Sequence, residues 1–158
     1  MTKQKSKENP AIRTTYENKE LPDCSGFSCV ILPGAFHSSI VQMFTESGFS
    51  VITDINEADL VVFTGGSDVH PSLYGEKPIP KCYTNQRRDE FEKEIYDRCL
   101  ANGTPMFGIC RGLQFLHVMN GGKLYQDVTK HAGGSHDIVD LDTNEFVRDA
   151  SSIHHQMC

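Results

Sequence analysis

The stretch PMFGICRGLQFL, residues 105–116, decides the fold of this 158-residue chain. An apolar run ends at Cys110, which lies between Gly108 and Gly112, and a helical spacing of apolar residues follows at once. A strand, a sharp turn at a nucleophilic residue and a helix form the cysteine version of a nucleophile elbow. Glycine at the two flanking positions avoids the clashes that side chains would make there. The stretch therefore predicts a β–turn–α unit with its cysteine at the turn.

The predicted turn gives the Cys110 thiol a chemical role. It places the sulfur at the N-terminus of the following helix, where the helix dipole and free backbone N–H groups favour the thiolate. The backbone N–H of Arg111 then points to the place where a tetrahedral oxyanion would form. The alternative is a buried, inert cysteine beside a tight turn. We expect a nucleophile, because an apolar strand precedes the turn and an amphipathic helix follows it.

Strand and helix signals alternate along the rest of the chain. The predicted strands and helices cover residues 28–32, 35–48, 49–53, 58–66, 86–103, 104–109 and 111–122, with shorter strands at 123–128 and 136–141. This alternation predicts βαβ units, hence an α/β fold with a mostly parallel sheet and helices on both faces. In the helix over 86–103, the spacing of Phe91, Ile95 and Leu100 predicts that these side chains face inward.

A glycine pair, Gly65-Gly66, ends the third predicted strand. Ligand sites of parallel sheets lie beyond the C-terminal ends of the strands, so this turn and Cys110 should be neighbours. Backbone N–H groups of the turn would supply a second oxyanion donor, unless the turn is an ordinary loop. Gln114 lies one helical turn after Cys110 on nearly the same face, where it either meets a polar substrate or is exposed.

Charge and hydropathy exclude several classes of function. The net charge is −6 and the isoelectric point is near 5.6, which argues against a nucleic-acid partner and against attraction to an anionic membrane. No apolar run approaches the roughly 20 residues that cross a bilayer. The basic start, MTKQKSKENP, is not followed by the apolar segment of a secretory signal. We therefore expect a cytoplasmic protein.

Composition also divides the chain into two parts. Residues 1–22 are polar and poor in large apolar side chains, which predicts a flexible polar tail, and residues 23–158 form one domain. Six scattered cysteines in a reducing compartment are expected to be free thiols. Cys24 and Cys29 could form half of a metal site, but no second pair of similar spacing follows. We expect neither a metal nor a cofactor.

Several ordered segments together resemble the class I glutamine amidotransferases, in the branch of gamma-glutamyl hydrolases that includes the gamma-glutamyl-GABA hydrolases. These segments are FTGGSDVHPSLYGE, RRDEFE, PMFGICRGLQFLHVMNGGKLYQDV, SHDIVDL and SSIHHQM. The resemblance covers residues 28–158. It implies a flavodoxin-like fold and attack by a cysteine on the side-chain carbonyl of glutamine or of a gamma-glutamyl amide.

The resemblance also implies roles for particular residues. Cys110 would be the nucleophile, and the backbones of Gly66 and Arg111 would form the oxyanion hole. The glutamyl group would be contacted by Gln114, Ser152, Ile153 and His154. Hydrolysis would pass through a gamma-glutamyl thioester and release glutamate.

The sequence departs from the family pattern at its C-terminal end. The family completes its catalytic triad with a His-Pro-Glu-like motif, which this sequence does not contain before Cys158. We therefore expect a C-terminally truncated domain that lacks the last strands and is impaired in activity. Besides the small glutamine or gamma-glutamyl substrate, the expected partners are a synthetase subunit or a chain that supplies the missing segment.

Two alternatives to an amidase remain open at this point. A truncated domain could be a non-catalytic protein that binds a ligand or another protein. A related thiol-elbow protein could instead use Cys110 in redox chemistry, with oxidation of the sulfur in place of acylation.

Overall fold

The computed structural model describes residues 23–129, 131–141 and 144–158, so the predicted tail over 1–22 lies outside the described residues. Four strands form a parallel sheet: β1 (Ser28–Ile31), β2 (Ser50–Val51), β3 (Leu60–Phe63) and β4 (Met106–Gly108). Their order is β2-β1-β3-β4. Flavodoxin-like folds begin with this strand order. The predicted α/β class with a mostly parallel sheet is confirmed.

Helices cover both faces of the parallel sheet. They are α1 (His37–Glu46), α2 (Gln86–Asn102) and α3 (Arg111–Met119), with short 3-10 turns at Ile55–Glu57 and Pro71–Tyr74. Alternate residues of β1 point to opposite faces, so Ile31 packs with Phe44 of α1. Val30 packs in the larger cluster with Ile95 of α2 and Phe115 of α3. Among the described residues, none of the helices combines the length and the apolar character that a transmembrane span requires.

Helix α1 is shorter than the predicted 35–48. Phe36 adopts a left-handed conformation with φ 59° and ψ 21°, so the helix begins at His37. Its aromatic side chain is 68% exposed, although its spacing from Ile40 and Phe44 is that of one helical face. An aromatic residue rarely adopts positive φ, so the sequence carried no signal for this turn.

Helix α2 has the predicted bounds to within one residue, but the prediction of its inner face is partly wrong. Ile95 is buried as predicted, whereas Phe91 and Leu100 are about half exposed. Asp89 and Glu92 are buried in their place. Carboxylates can occupy these buried positions because the guanidinium groups of Arg88 and Arg111 pair with them.

A separate antiparallel hairpin follows the parallel sheet. Its strands are β5 (Ala132–Val139) and β6 (Phe146–Ile153), and neither pairs with β1–β4. The strand predicted at 136–141 falls mostly within β5, and β6 was missed. The strand predicted at 123–128 is wrong, since this segment makes only an isolated bridge between Tyr125 and Met157. Through that bridge, the segment after β6 pairs with the segment after α3.

Candidate active site

Cys110 lies in a strained turn between β4 and α3. Its backbone has φ 55° and ψ −114°, a region that side chains rarely enter, and the residue is exposed at the N-terminus of α3. The flanking glycines make the turn possible. A Cβ on Gly112 would lie 2.1 Å from the backbone oxygen of Phe63, and one on Gly108 would lie 2.4 Å from the backbone nitrogen of Leu113. The local pattern therefore builds an elbow with an accessible sulfur.

The Gly65-Gly66 turn lies beside this elbow. A Cβ added at Gly65 would be 3.6 Å from the Cβ of Cys110, so the backbones of the two turns are neighbours. The carbonyl oxygen of Gly65 accepts hydrogen bonds from the Ala35 N–H at 2.9 Å and from Arg88 Nη1 at 2.8 Å. No described peptide bond is cis, so the N–H of Gly66 points away from both of these donors.

A cavity of about 340 Å³ lies between the elbow, the glycine turn, the start of α1 and the segment after β6. It is lined by five of the residues predicted for the site: Gly66, Cys110, Gln114, Ile153 and His154. The fold thus brings together residues that are up to 88 positions apart in the sequence.

Two predicted site residues turn their side chains away from the cavity. The side chain of Arg111 is buried and pairs with Asp89 and Glu92, so only its backbone is near the elbow. The hydroxyl of Ser152 is buried and donates to the backbone oxygen of His131 at 2.7 Å. The structure does not place Ser152 on the cavity wall.

Gln114 is tied to the segment after β6. Its amide nitrogen donates to the backbone oxygen of Gln156 at 2.7 Å. The side chain of Gln156 in turn accepts from the Val69 N–H at 3.1 Å and donates to the Val69 carbonyl at 3.3 Å. Gln114 therefore lines the cavity and also holds the segment after β6 in place.

A histidine–aspartate pair on the same cavity was not predicted. His155 Nε2 lies 2.9 Å from Asp68 Oδ2, and His155 Nδ1 lies 2.8 Å from the backbone oxygen of Gln126. A carbonyl oxygen only accepts, so Nδ1 carries a hydrogen. Since the other nitrogen is held by Asp68, His155 offers no free nitrogen to receive the thiol proton of Cys110.

His154 is part of a cluster of three imidazole rings, in which it stacks on His131 and the ring of His136 is edge-on to His131. Its ring centroid is 5.2 Å from that of His131, which is 5.0 Å from that of His136. Burial lowers the pKa of His154, and the neighbouring rings of His131, His136 and His155 lower it further. The neutral form of His154 is thus favoured in the folded chain.

This pKa shift predicts acid sensitivity of the fold. The unfolded chain binds a proton at His154 more readily than the native state does, so stability falls as the pH drops below about 6.5 and through the lowered pKa. We expect wild type to lose more free energy of unfolding than His154→Asn between about pH 7.5 and about pH 5.5. Urea denaturation at both pH values measures this; equal losses in the two proteins would contradict it.

The polar stripe of α2, formed by Arg88, Glu92 and Cys99, was not predicted either. Arg88 Nε pairs with Glu92 Oε1 at 2.7 Å, and the second oxygen of Glu92 pairs with Arg111. Arg88, Glu92 and Cys99 follow one another at intervals of four and seven residues, which is the spacing of one helical face. This spacing could have indicated the inner face of α2. It was overlooked because the inner face was predicted from apolar residues alone.

The other thiols differ from Cys110 in their surroundings. Burial raises the pKa of the Cys29, Cys99 and Cys158 thiols. Cys110 and Cys158 are the exposed ones. Within residues 23–129, 131–141 and 144–158, no group of three histidine, cysteine, aspartate or glutamate side chains could hold a metal ion.

Comparisons with known proteins identify relatives of part of this chain. YvdE of Lactococcus lactis subsp. lactis, described as glutamine amidotransferase-like, is 40% identical over 104 residues, which cover 58% of this chain and 44% of YvdE. NtpR of Enterococcus hirae is 44% identical over 78 residues, or 49% of this chain and 33% of NtpR. The gamma-glutamyl-CDP-amidate hydrolase of Campylobacter jejuni is 32% identical over 92 residues, or 54% of this chain and 42% of the hydrolase. The chain thus spans less than half the length of each of these relatives.

The match to a protein family covers most of the chain. The model of the family described as Peptidase C26 matches residues 32–157, which include the glycine turn, the elbow and the segment after β6. The chain therefore belongs to the Peptidase C26 family, which is class I glutamine amidotransferase-like.

Proposed function

We propose that Cys110 cleaves the side-chain amide of glutamine or of a gamma-glutamyl amide. The observation that carries the proposal is an exposed cysteine in a strained elbow, beside a glycine turn and open to a cavity of about 340 Å³. Membership of an amidotransferase-like family supports amide hydrolysis in general. The name of the Campylobacter relative refers to a gamma-glutamyl amide, which favours this class of substrate over other amides.

In the proposed reaction, the thiolate of Cys110 attacks the gamma carbonyl carbon and a C–S bond forms. The backbone N–H groups of Gly66 and Arg111 hold the resulting oxyanion. The C–N bond then breaks, the nitrogen takes up a proton and leaves as ammonia or an amine, and a gamma-glutamyl thioester remains. Water hydrolyses the thioester to glutamate and frees the thiol.

The walls of the cavity would bind the glutamyl group. Gln114, Ile153 and His154 line the cavity and are the proposed contacts, whereas Ser152 precedes Ile153 in β6 and does not line the cavity. His155 is engaged through both nitrogens, so we assign the general base to another segment of a longer protein or to a partner chain. A synthetase subunit that uses the released ammonia is the proposed partner class, and the proposed location is the cytoplasm.

An activated ester tests this proposal without requiring that base. The p-nitrophenyl ester of the glutamate gamma carboxyl releases p-nitrophenolate, which leaves without protonation. We expect a burst of p-nitrophenolate and a gamma-glutamyl thioester on Cys110, found by peptide mass spectrometry. Cys158→Ala is the matched control, because Cys158 is the other exposed thiol, and it should leave the burst unchanged. Equal acylation of Cys110 and Cys158 in wild type would overturn the proposal.

A further inference from the structure

A network of four charged side chains, three of them buried, lies between α2 and α3. Glu92 accepts from Arg88 Nε at 2.7 Å through one oxygen and pairs with Arg111 through the other. Arg111 also pairs with Asp89, whose second oxygen accepts from the His70 N–H at 3.2 Å. The network contains two cations and two anions, so its charges balance within the protein interior.

Arg88 extends this network to the glycine turn. Its Nη1 donates to the Gly65 carbonyl at 2.8 Å, and its Nη2 donates to the Thr64 carbonyl at 3.1 Å and to Thr64 Oγ1 at 3.3 Å. All three nitrogens of this guanidinium are thus engaged. Because the guanidinium is planar and rigid, these bonds fix the direction of the Gly65 carbonyl as well as its position.

Both turns beside the cavity are therefore connected to one carboxylate. Glu92 holds Arg88, which holds the carbonyl of Gly65, and it also holds Arg111, which directly follows Cys110. Glu92 and Arg111 are each only 1% exposed, so water does not compete for the bond between them. The space around the turn is filled as well, since a Cβ at Gly66 would lie 2.1 Å from Arg88 Nη1.

We propose that Arg88 is a positioning residue that sets the direction of the Gly66 N–H and, through Glu92, its distance from the N–H of Arg111. The inference rests on the proposed function, in which these two groups hold the oxyanion. In a trans peptide the N–H points opposite to the carbonyl. Holding the Gly65 oxygen on the Arg88 side therefore directs the Gly66 N–H to the other side of the turn.

Two reactions of the same sulfur separate this role from a structural one. Acylation by the p-nitrophenyl ester passes through an oxyanion and depends on the direction of the Gly66 N–H. Alkylation by iodoacetamide forms a C–S bond at a saturated carbon and expels iodide, with no oxyanion. A residue that only stabilises the fold would change both rates together or neither.

The test compares Arg88→Met with Arg87→Met, a matched change at the exposed neighbouring position of α2. Both rates at Cys110 are followed by peptide mass spectrometry on the folded proteins. We expect Arg88→Met to slow acylation by about 10- to 100-fold, because misplacement of a catalytic group by about 1 Å costs about 100-fold. Alkylation by iodoacetamide should keep its wild-type rate, and Arg87→Met should change neither rate.

If Arg88→Met does not fold, Arg88→Lys tests the same point. A single ammonium group keeps the charge but cannot bond to Glu92, Gly65 and Thr64 in the same geometry, so acylation should again slow selectively. Unchanged acylation, or an equal fall in acylation and alkylation, would overturn the positioning role. Absence of acylation in wild type would instead refute the proposed function, so the two failures are distinguishable.

Discussion

Cys110→Gly is expected to remove all acylation at the elbow and, at the same time, to make the fold more stable. The lost reactivity follows from the lost sulfur. The gain follows from the backbone, because φ 55° and ψ −114° strain any residue with a Cβ. Such strain costs of the order of 1–3 kcal/mol, so we expect a net gain of about 1 kcal/mol after the entropy cost of glycine.

Cys110→Ala is the matched control for this prediction. It also removes the sulfur, but it keeps the Cβ and hence the strain, so its stability should stay near that of wild type. Urea denaturation of the three proteins gives the free energies of unfolding. If the glycine variant is no more stable than the alanine variant, the backbone of the elbow is not strained at residue 110.

Gly112→Ala is expected to have the largest effect on stability of any single methyl group added here. Its Cβ would lie 2.1 Å from the backbone oxygen of Phe63 and 2.5 Å from the backbone carbon of that residue. These atoms belong to the buried strand β3, which cannot move without disturbing the sheet. We expect a loss of about 3 kcal/mol, the upper end for overpacking, or failure to fold.

Gly134→Ala provides the comparison for that loss. No heavy atom lies within 4 Å of a Cβ built at this position in β5, and its φ is not in the left-handed region. Its free energy of unfolding should therefore stay within about 0.5 kcal/mol of wild type. A Gly112→Ala protein as stable as the Gly134→Ala protein would show that α3 does not pack against β3 as closely as described.

Local patterns explain which parts of the fold were predictable. The elbow was predictable because glycine, cysteine and glycine at 108, 110 and 112 specify a turn within five residues. The parallel sheet followed from alternating strand and helix signals. The inner face of α2 was not, because Asp89 pairs with Arg111, 22 residues away, and Glu92 pairs with Arg111, 19 residues away, as well as with Arg88 on its own helix. Hydropathy ranks Phe91 above both carboxylates and so selects the wrong face.

The candidate site also has a part that local sequence patterns predict and a part that they do not. Cys110 and the Gly65-Gly66 turn were expected as neighbours, because both follow strands of one parallel sheet. The pairing of Asp68 with His155 spans 87 residues and depends on how the segment after β6 docks. No local signal in the sequence encodes that docking, and β6 itself lacks the regular alternation of apolar and polar residues that identifies a strand.

The hairpin described above gives the cavity two walls of unequal stiffness. Cys110 and the glycine turn rest on a four-stranded sheet covered by helices, whereas Ile153 ends a two-stranded ribbon paired with no other strand among the described residues. A ribbon of two strands has little stability of its own. Amide hydrogens of β5 and β6 should therefore exchange with solvent faster than those of β3. A ligand in the cavity would therefore contact a rigid wall on the side of the parallel sheet and a more flexible wall on the side of the hairpin.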